Sequence, residues 1–264
     1  MCCEMNDLFT QLYSGDKQPY GPCRFLQSTW MSQKELAGYA QQDAHEFFIS
    51  ALNNIHAGCE GHKLSNCDYI SLGLKPPEKK KSNRSLNGRR FSHDERSSKQ
   101  GNTLKDCLER YTQPEKLGAN EYSCSKCGYT FQEATKQLSI KRIPPVLSIQ
   151  LKRFEHGTST SKIETKIRFP IELDLTPYTT SKKRSSDNIY TLFAVVNHQG
   201  KVDTGHYTMF AKHRNEWFKF DDHNVAAAYQ KDVLDSKAYM CFYIQKSLKY
   251  MYPDGDNLDL FRFE

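Results

Sequence analysis

Residues Tyr190 to Asp222 read YTLFAVVNHQGKVDTGHYTMFAKHRNEWFKFDD. Tyr190 to Asn197 mixes aromatic and β-branched side chains, which predicts a strand. A polar turn with Gly200 and Gly205 follows, and His206 then opens a second strand, Tyr207 to Lys212. A third strand, Trp217 to Phe220, ends at Asp221 and Asp222. One strand out, a turn over His213-Arg214-Asn215-Glu216 and one strand back bring Asp221 to the imidazole of His206. Strand alternation sends Asp222 to the opposite face, so Asp221 is the expected partner and Asp222 a supporting residue. A carboxylate so placed orients the ring and stabilises its charged form, as a base in nucleophilic catalysis requires. A structural histidine beside a solvated acidic pair is the plainer reading of the same residues.

Outward from this stretch, the chain has 264 residues, enough for one large domain or two small ones. Hydrophobic residues make up 38% of it, with 15 Tyr and 15 Phe to fill a core. No apolar run approaches the ~20 residues that span a bilayer, and no secretory pattern opens the chain. Nine cysteines, an odd number, are scattered apart from Cys2-Cys3 and Cys124-x-x-Cys127. That usage fits a reducing compartment, with thiols serving metal or catalysis.

Residues Met1 to Ala57 read as helical. Leu8, Leu12 and Tyr13 have helical spacing, and Phe25 to Leu36 gives a second helix. The clearest helix runs from Gln42 to Ile55, with Ala44, Phe47, Phe48, Ala51, Leu52 and Ile55 on one stripe. Asp43 and Glu46 fall in its first turn, where negative charge is favoured by about 0.3–1 kcal/mol. Stabilising the helix is reason enough for either acid to be there.

From 58 to 101 the organisation weakens. Lys75 to Lys99 holds nine Lys or Arg against three acids, with many Ser and Asn. Such composition buries too little apolar area to offset ordering, so a disordered basic insert is expected. Glu78-Lys79-Lys80-Lys81 is the kind of run that serves nuclear import or touches nucleic acid. No aromatic residue interleaves the basic ones before Phe91, so direct nucleic-acid binding is not expected.

Thr103 is an expected N-cap for a helix from Leu104 to Tyr111. Tyr122 to Gln137 reads as a hairpin about the knuckle Cys124-Ser125-Lys126-Cys127-Gly128. Two thiolates supply half of the four ligands that structural zinc takes. Cys59 and Cys67, with His56 or His62, are the nearby substitutes for the other half, at the wrong spacing for a knuckle. An incomplete zinc site is therefore expected, and no catalytic cofactor. Strands are expected over Lys136–Ile143, Val146–Phe154 and Ile163–Leu175, then a short helix at Lys231–Leu234 and a closing strand at Ala238–Ile244. The tail from Pro253 is acidic and expected to fray.

Three stretches carry a resemblance. Gly205-His206-Tyr207 with Trp217 and Asp221-Asp222, Gln41-Gln42-Asp43-Ala44-His45-Glu46-Phe47, and Leu151-Lys152-Arg153-Phe154 resemble the signatures of ubiquitin-specific proteases, peptidase family C19. MCCEMNDLF, LAGYAQQDAHEF, KQLSIKRIP, LKRFEH, FAVVNHQG and KDVLDS look closest to the branch that serves the SAGA coactivator. The resemblance implies an α+β, papain-like fold with thumb helices (1–57), a basic insert (58–101), fingers with a zinc knuckle (102–143), a β-rich palm (144–246) and a tail (247–264). It implies a Cys-His-Asp peptidase that removes ubiquitin from proteins, with Asp43 and Glu46 holding ubiquitin's basic tail. The branch implies histone substrates, partner subunits of a deubiquitinating module, and a nuclear protein also compatible with the cytoplasm.

Two departures stand against it. The family's nucleophile box, an Asn-containing loop followed by Cys, has no match and would lie upstream of Met1. Cys2 and Cys3 precede a helix, where a thiolate is favoured, but Glu4 beside them opposes it. Near Tyr69-Ile70 a finger segment with a first C-x-x-C is missing. A catalytically inactive ubiquitin-binding or scaffolding module is therefore the alternative reading.

Overall fold

The computed structural model describes residues 2–15, 20–38, 40–59, 69–76, 102–128, 130–131, 133–155, 161–201 and 204–248. Three helices come first: α1 (Cys2–Leu12), α2 (Cys23–Ser32) and α3 (Ala44–Cys59). Strand β1 (Tyr69–Leu74) and helix α4 (Leu104–Thr112) follow. The middle holds four short strands, β2 (Glu115–Leu117), β3 (Ser123–Cys124), β4 (Thr130–Phe131) and β5 (Ala134–Lys136). Next come β6 (Val146–Leu151), β7 (Phe154–Glu155), β8 (Ser161–Lys162) and β9 (Glu172–Asp174). The chain continues through β10 (Ile189–Gly200), β11 (Gly205–His213), β12 (Glu216–Asp221) and β13 (Asn224–Ala228). Helix α5 (Gln230–Asp235) and β14 (Ala238–Gln245) complete the order.

One eight-stranded sheet organises these elements. Its order is β1-β6-β14-β10-β11-β12-β13, with β9 on β10. Only β1 and β6 run parallel; the other neighbours are antiparallel. Central β6 is buried on both faces, which is why VLSIQL is a nearly continuous apolar run. Leu147, Ile149 and Leu151 of β6 meet Leu192 and Val195 of β10, Cys241 and Tyr243 of β14, and Leu104 and Leu108 of α4 in one buried cluster. Each such aliphatic side chain contributes roughly 1.5–3 kcal/mol by leaving water. Helix α4 starts as the sequence predicts. Thr103 Oγ1 accepts from the Asp106 N–H at 3.1 Å, and Asp106 answers by accepting from the Thr103 N–H at 2.9 Å.

Several expectations need correction. The stretch 58–101 is not all insert: Tyr69–Leu74 forms β1, anchored because Leu72 and Leu74 are buried against β6. The expected disorder over 77–101, and the frayed tail from Pro253, lie outside the described residues. Lys136–Ile143 is not a strand. Buried Ile140 makes a single bridge to Thr179, and its neighbours are exposed. Over 163–171 burial alternates, with Ile167 and Phe169 inside, yet Arg168 bridges only Thr103. Alternation alone makes no strand without a neighbouring strand to complete the ladder.

Candidate active site

The turn between β10 and β11 sets the site. Gly200 and Gly205 face each other across it, and the Lys201 N–H donates to the Thr204 carbonyl at 2.9 Å. Gly200 sits at φ +102°, open to glycine and strained for other residues. At Gly205 the limit is space: a Cβ there would stand 2.0 Å from His198 Nε2. The buried ring of His198 packs against Tyr207 at 4.6 Å between centroids. Burial pushes the His198 imidazole down from the usual histidine value.

Beside this turn His206 projects from β11, with its side chain 48% exposed. Its Nε2 lies 2.6 Å from Oδ1 of Asp221, the last residue of β12. The pairing deduced from the strand arithmetic is thus present. The bond to Asp221 raises the His206 imidazole above its ordinary value, and the same bond lowers the Asp221 carboxyl. Lys219, two residues before Asp221 on the same face, donates to Asp221 Oδ2 at 3.2 Å. The carboxylate is therefore held from both oxygens. No described residue is hydrogen-bonded to the other ring nitrogen, Nδ1.

Asp222 does not point away, as alternation requires. It occupies the tight turn into β13 at φ +52°, where the strand period no longer applies. One oxygen of its carboxylate, one of the Asp221 carboxylate and one ring nitrogen of His206 lie within 4.8 Å of one another. Asp222 thus stays on the histidine's side.

The start of α3 is fastened to this site. Gln41 Oε1 accepts from the Gly205 N–H at 2.7 Å, and the Tyr207 hydroxyl accepts from the Ala44 N–H at 3.3 Å. Asp43 lies one residue before the helix rather than in its first turn. As its cap, Oδ1 accepts from the N–H groups of His45 and Glu46, both at 2.9 Å. Oδ2 accepts from the Tyr239 hydroxyl at 2.5 Å. Both oxygens of Asp43 are thus engaged within the chain, whereas Glu46 is exposed. Gln41 and Tyr207 appeared in the sequence only as members of signature stretches, and Lys219 and Tyr239 were not named at all; none was given a role. Their roles depend on contacts more than 160 residues apart for all but Lys219, and Lys219 could have been read from its i, i+2 spacing to Asp221.

At the knuckle, Cys124 ends β3 and Cys127 ends a 3-10 turn that Gly128 closes at φ +74°. A hydrogen bond between the thiols lowers Cys124 and raises Cys127. Among the described residues, no third His, Cys, Asp or Glu joins them as a metal-ligand group. Two sulfurs do not make a tetrahedral site. His62 and Cys67 lie outside the described residues, as does the side chain of Cys59.

The sequence profile described as ubiquitin carboxyl-terminal hydrolase matches residues 1–243. The chain belongs to the ubiquitin carboxyl-terminal hydrolase family. Mouse ubiquitin carboxyl-terminal hydrolase 22 is 38% identical over 312 residues, covering 95% of this chain and 58% of that protein. Mouse ubiquitin carboxyl-terminal hydrolase 27 is 38% identical, covering 94% and 69%. The Drosophila melanogaster ubiquitin carboxyl-terminal hydrolase nonstop is 38% identical, covering 95% and 59%. The chain thus spans little more than half the length of two of these three relatives. The 312-residue match is longer than the 264 residues of this chain, so it crosses segments that the relative has and this chain lacks. Among solved structures, the SAGA Ubp8/Sgf11/Sus1/Sgf73 DUB module bound to ubiquitin aldehyde aligns with a TM-score of 0.64 at 30% identity, covering 84% of this chain and 53% of that one. The Ubp8-Sgf11-Sgf73-Sus1 SAGA DUB module also aligns at 0.64, with 25% identity over 92% of this chain and 56% of that one. These likenesses agree with the α+β, papain-like architecture expected from the sequence.

Proposed function

We propose that this chain carries the histidine–aspartate half of a thiol peptidase centre that removes ubiquitin from proteins. The observation that supports this reading is the 2.6 Å bond between His206 and Asp221 at an exposed strand end. Nδ1 of His206 would take the proton of a cysteine thiol, and Asp221 would stabilise the resulting imidazolium. The thiolate sulfur then attacks the carbonyl carbon of the last ubiquitin glycine. The C–N bond breaks, the leaving amine takes the proton from His206, and water hydrolyses the thioester. Glu46, exposed one turn into α3, would meet the cationic tail of ubiquitin. Asp43 would contribute by holding the helix start in place.

The relatives extend the proposal. The solved SAGA modules contain Ubp8 with Sgf11, Sus1 and Sgf73, one with ubiquitin aldehyde. By analogy this chain would join comparable subunits, work in the nucleus and act on ubiquitinated histones. In the same reading α1 to α3 would form the thumb, the short central strands the fingers and the large sheet the palm. Zinc at Cys124 and Cys127 would need ligands from outside the described residues. A second reading, a ubiquitin-binding or scaffolding module without turnover, is favoured by one observation: no described thiol is hydrogen-bonded to His206.

The test is cleavage of a ubiquitin–fluorophore conjugate. The 264-residue chain alone is expected to stay at buffer background. A chimera given the nucleophile and finger segments of a relative, with partner subunits, should cleave. His206→Ala should then lower its rate about a hundredfold or more. A chimera that folds and binds ubiquitin, yet cleaves equally well without His206, would overturn the proposal.

A further inference from the structure

The hairpin of β10 and β11 outruns its neighbours. Pairing of β10 with β14 ends at Asn197 and Ala238, and pairing of β11 with β12 begins only at Met209 and Phe220. The tip, residues 198–200 and 205–208, therefore has no flanking strand among the described residues, and it carries His206.

The ladder shows which backbone groups of the tip are left over. The Lys201 N–H bonds the Thr204 carbonyl, and in an antiparallel ladder bonded pairs alternate with pairs that exchange no bonds. Gly200–Gly205 and His198–Tyr207 are thus the pairs without bonds, and their N–H and C=O groups point out of the hairpin. At Gly205 the outward N–H goes to Gln41. On the β10 side a single side chain serves two carbonyls. Lys162 Nζ donates to the His198 carbonyl at 2.9 Å and to the Gly200 carbonyl at 3.0 Å. Its third contact is Glu164 at 3.4 Å, which also takes the Lys237 ammonium at 3.0 Å.

Lys162 is itself held, with its side chain only 10% exposed. It ends β8, and Arg153 grips the residues that follow. The Ile163 N–H donates to the Arg153 carbonyl at 2.6 Å, and Arg153 Nη1 donates to the carbonyls of Ile163 at 3.0 Å and Thr165 at 2.7 Å. Arg153 Nε donates to the carbonyl of Ala238, the first residue of β14, at 2.8 Å. The Lys162 ammonium thus takes up the carbonyls that a longer β14 would bond. An ion pair with Glu164 is the plainer reading of this lysine, but it explains neither the burial nor the two carbonyls.

We propose that Lys162 is a positioning residue for His206, its ammonium replacing the absent strand and holding the hairpin tip where the imidazole meets Asp221. Charged donors make the stronger hydrogen bonds, and two anchor points fix a direction where one would leave a pivot. The proposal deepens the peptidase reading above, and only its kinetic arm rests on that reading.

The first arm uses the 264-residue chain. Proton NMR follows the His206 titration midpoint in the parent, in Lys162→Met and in Lys237→Met, which removes a neighbouring charge that touches no carbonyl of the tip. Asp221, Asp222 and Lys219, the charged groups around the ring, stay in place in every variant. Loss of a cation by itself can only raise a nearby imidazole. Lys162→Met should instead lower the midpoint toward that of an unstructured histidine, because a loosened tip meets Asp221 less often. Lys237→Met should not lower it. Lys162→Gln keeps a donor on a shorter stem, serves if the methionine variant does not fold, and should move the midpoint the same way. A midpoint that rises or stays, an equal fall in Lys237→Met, or failure of both Lys162 variants to fold would overturn the proposal.

The second arm uses the chimera described above. Lys162→Met should lower its kcat about tenfold or more with KM within about twofold, since a misplaced base costs rate and not binding. An unchanged kcat, or a loss carried wholly by KM, would also overturn the proposal. A chimera inactive even with Lys162 in place would count against the peptidase reading alone, and the His206 midpoint then decides.

Discussion

The Oε1 of Gln41 accepts a 2.7 Å hydrogen bond from the backbone N–H of Gly205, 164 residues further along the chain. This bond ties the entry to helix α3 to the residue immediately before His206. Removing the acceptor leaves the Gly205 N–H to water, so Gln41→Ala should cost about 0.5–1.5 kcal/mol. The loss would be read in thermal melting. Amide exchange should quicken at Gly205 and His206 while the far end of β10 is unaffected.

The pair formed by His206 and Asp221 makes a pH prediction. Its bond raises the imidazole and lowers the carboxyl. The stabilising contribution of His206 is full below its unfolded value, about 6.5, and is lost as pH rises through the higher folded value. That of Asp221 is present above the ordinary Asp value and is lost as pH falls through its lower folded value. Proton NMR should place the His206 midpoint above that of an unstructured histidine. Asp221→Asn should lower the midpoint more than Asp222→Asn does, because only Asp221 bonds the ring. Equal shifts would show that Asp222 is an equal partner.

Lys219 opposes the charged imidazole while steadying its carboxylate. Lys219→Met should raise the His206 midpoint further and raise the Asp221 carboxyl as well. A His206 midpoint that falls would show that positioning of Asp221 outweighs the removed charge.

Asp43 and Glu46 are separable. Asp43→Ala removes a cap and the acceptor of Tyr239, so it should destabilise the fold by about 1–2 kcal/mol. Glu46→Ala should leave melting within about 0.5 kcal/mol. If Glu46 meets the ubiquitin tail, its loss should weaken ubiquitin binding in calorimetry by about 1–3 kcal/mol. Unchanged affinity would limit Glu46 to its favourable place in the first turn.

Gly205→Ala would drive a methyl group into the His198 ring, since the added Cβ meets Nε2 at 2.0 Å. Overpacking of this kind costs about 1–3 kcal/mol. The expected signs are a lower melting temperature and a displaced His198 resonance. A variant as stable as the parent would show that both the His198 ring and the Gln199 carbonyl, 2.7 Å from the added Cβ, can give way.

With two sulfurs at the knuckle, chelator-washed protein should carry no stoichiometric zinc. One tightly held zinc per chain would instead place the remaining ligands outside the described residues, where His62 and Cys67 lie.

Local signals were legible in this sequence, because propensity and capping act within a few residues. The Thr103 cap needs only Asp106 three residues on. The strands β10, β11 and β12 are each one run rich in aromatic and β-branched residues, and the distance from His206 to Asp221 is one hairpin, so their meeting could be counted out along the chain. The same counting failed at Asp222, where one positive φ cancelled the period of two. It failed again over 136–143 and 163–171, where the residues alternate but no strand lies alongside.

The tertiary structure decided what depends on partners remote in sequence. Nothing near Tyr69–Leu74 says that this segment lies parallel to Val146–Leu151, a pairing set by burial of Leu72 and Leu74. The sequence placed Asp43 in a helix's first turn, with a choice between steadying the helix by its charge and holding a basic tail. Only folding brought the Tyr239 hydroxyl, 196 residues away, onto its second oxygen. Hydrogen bonds of that reach form only after the sheet and helix have buried their apolar faces together, so they follow from the packed whole and not from any one stretch of residues.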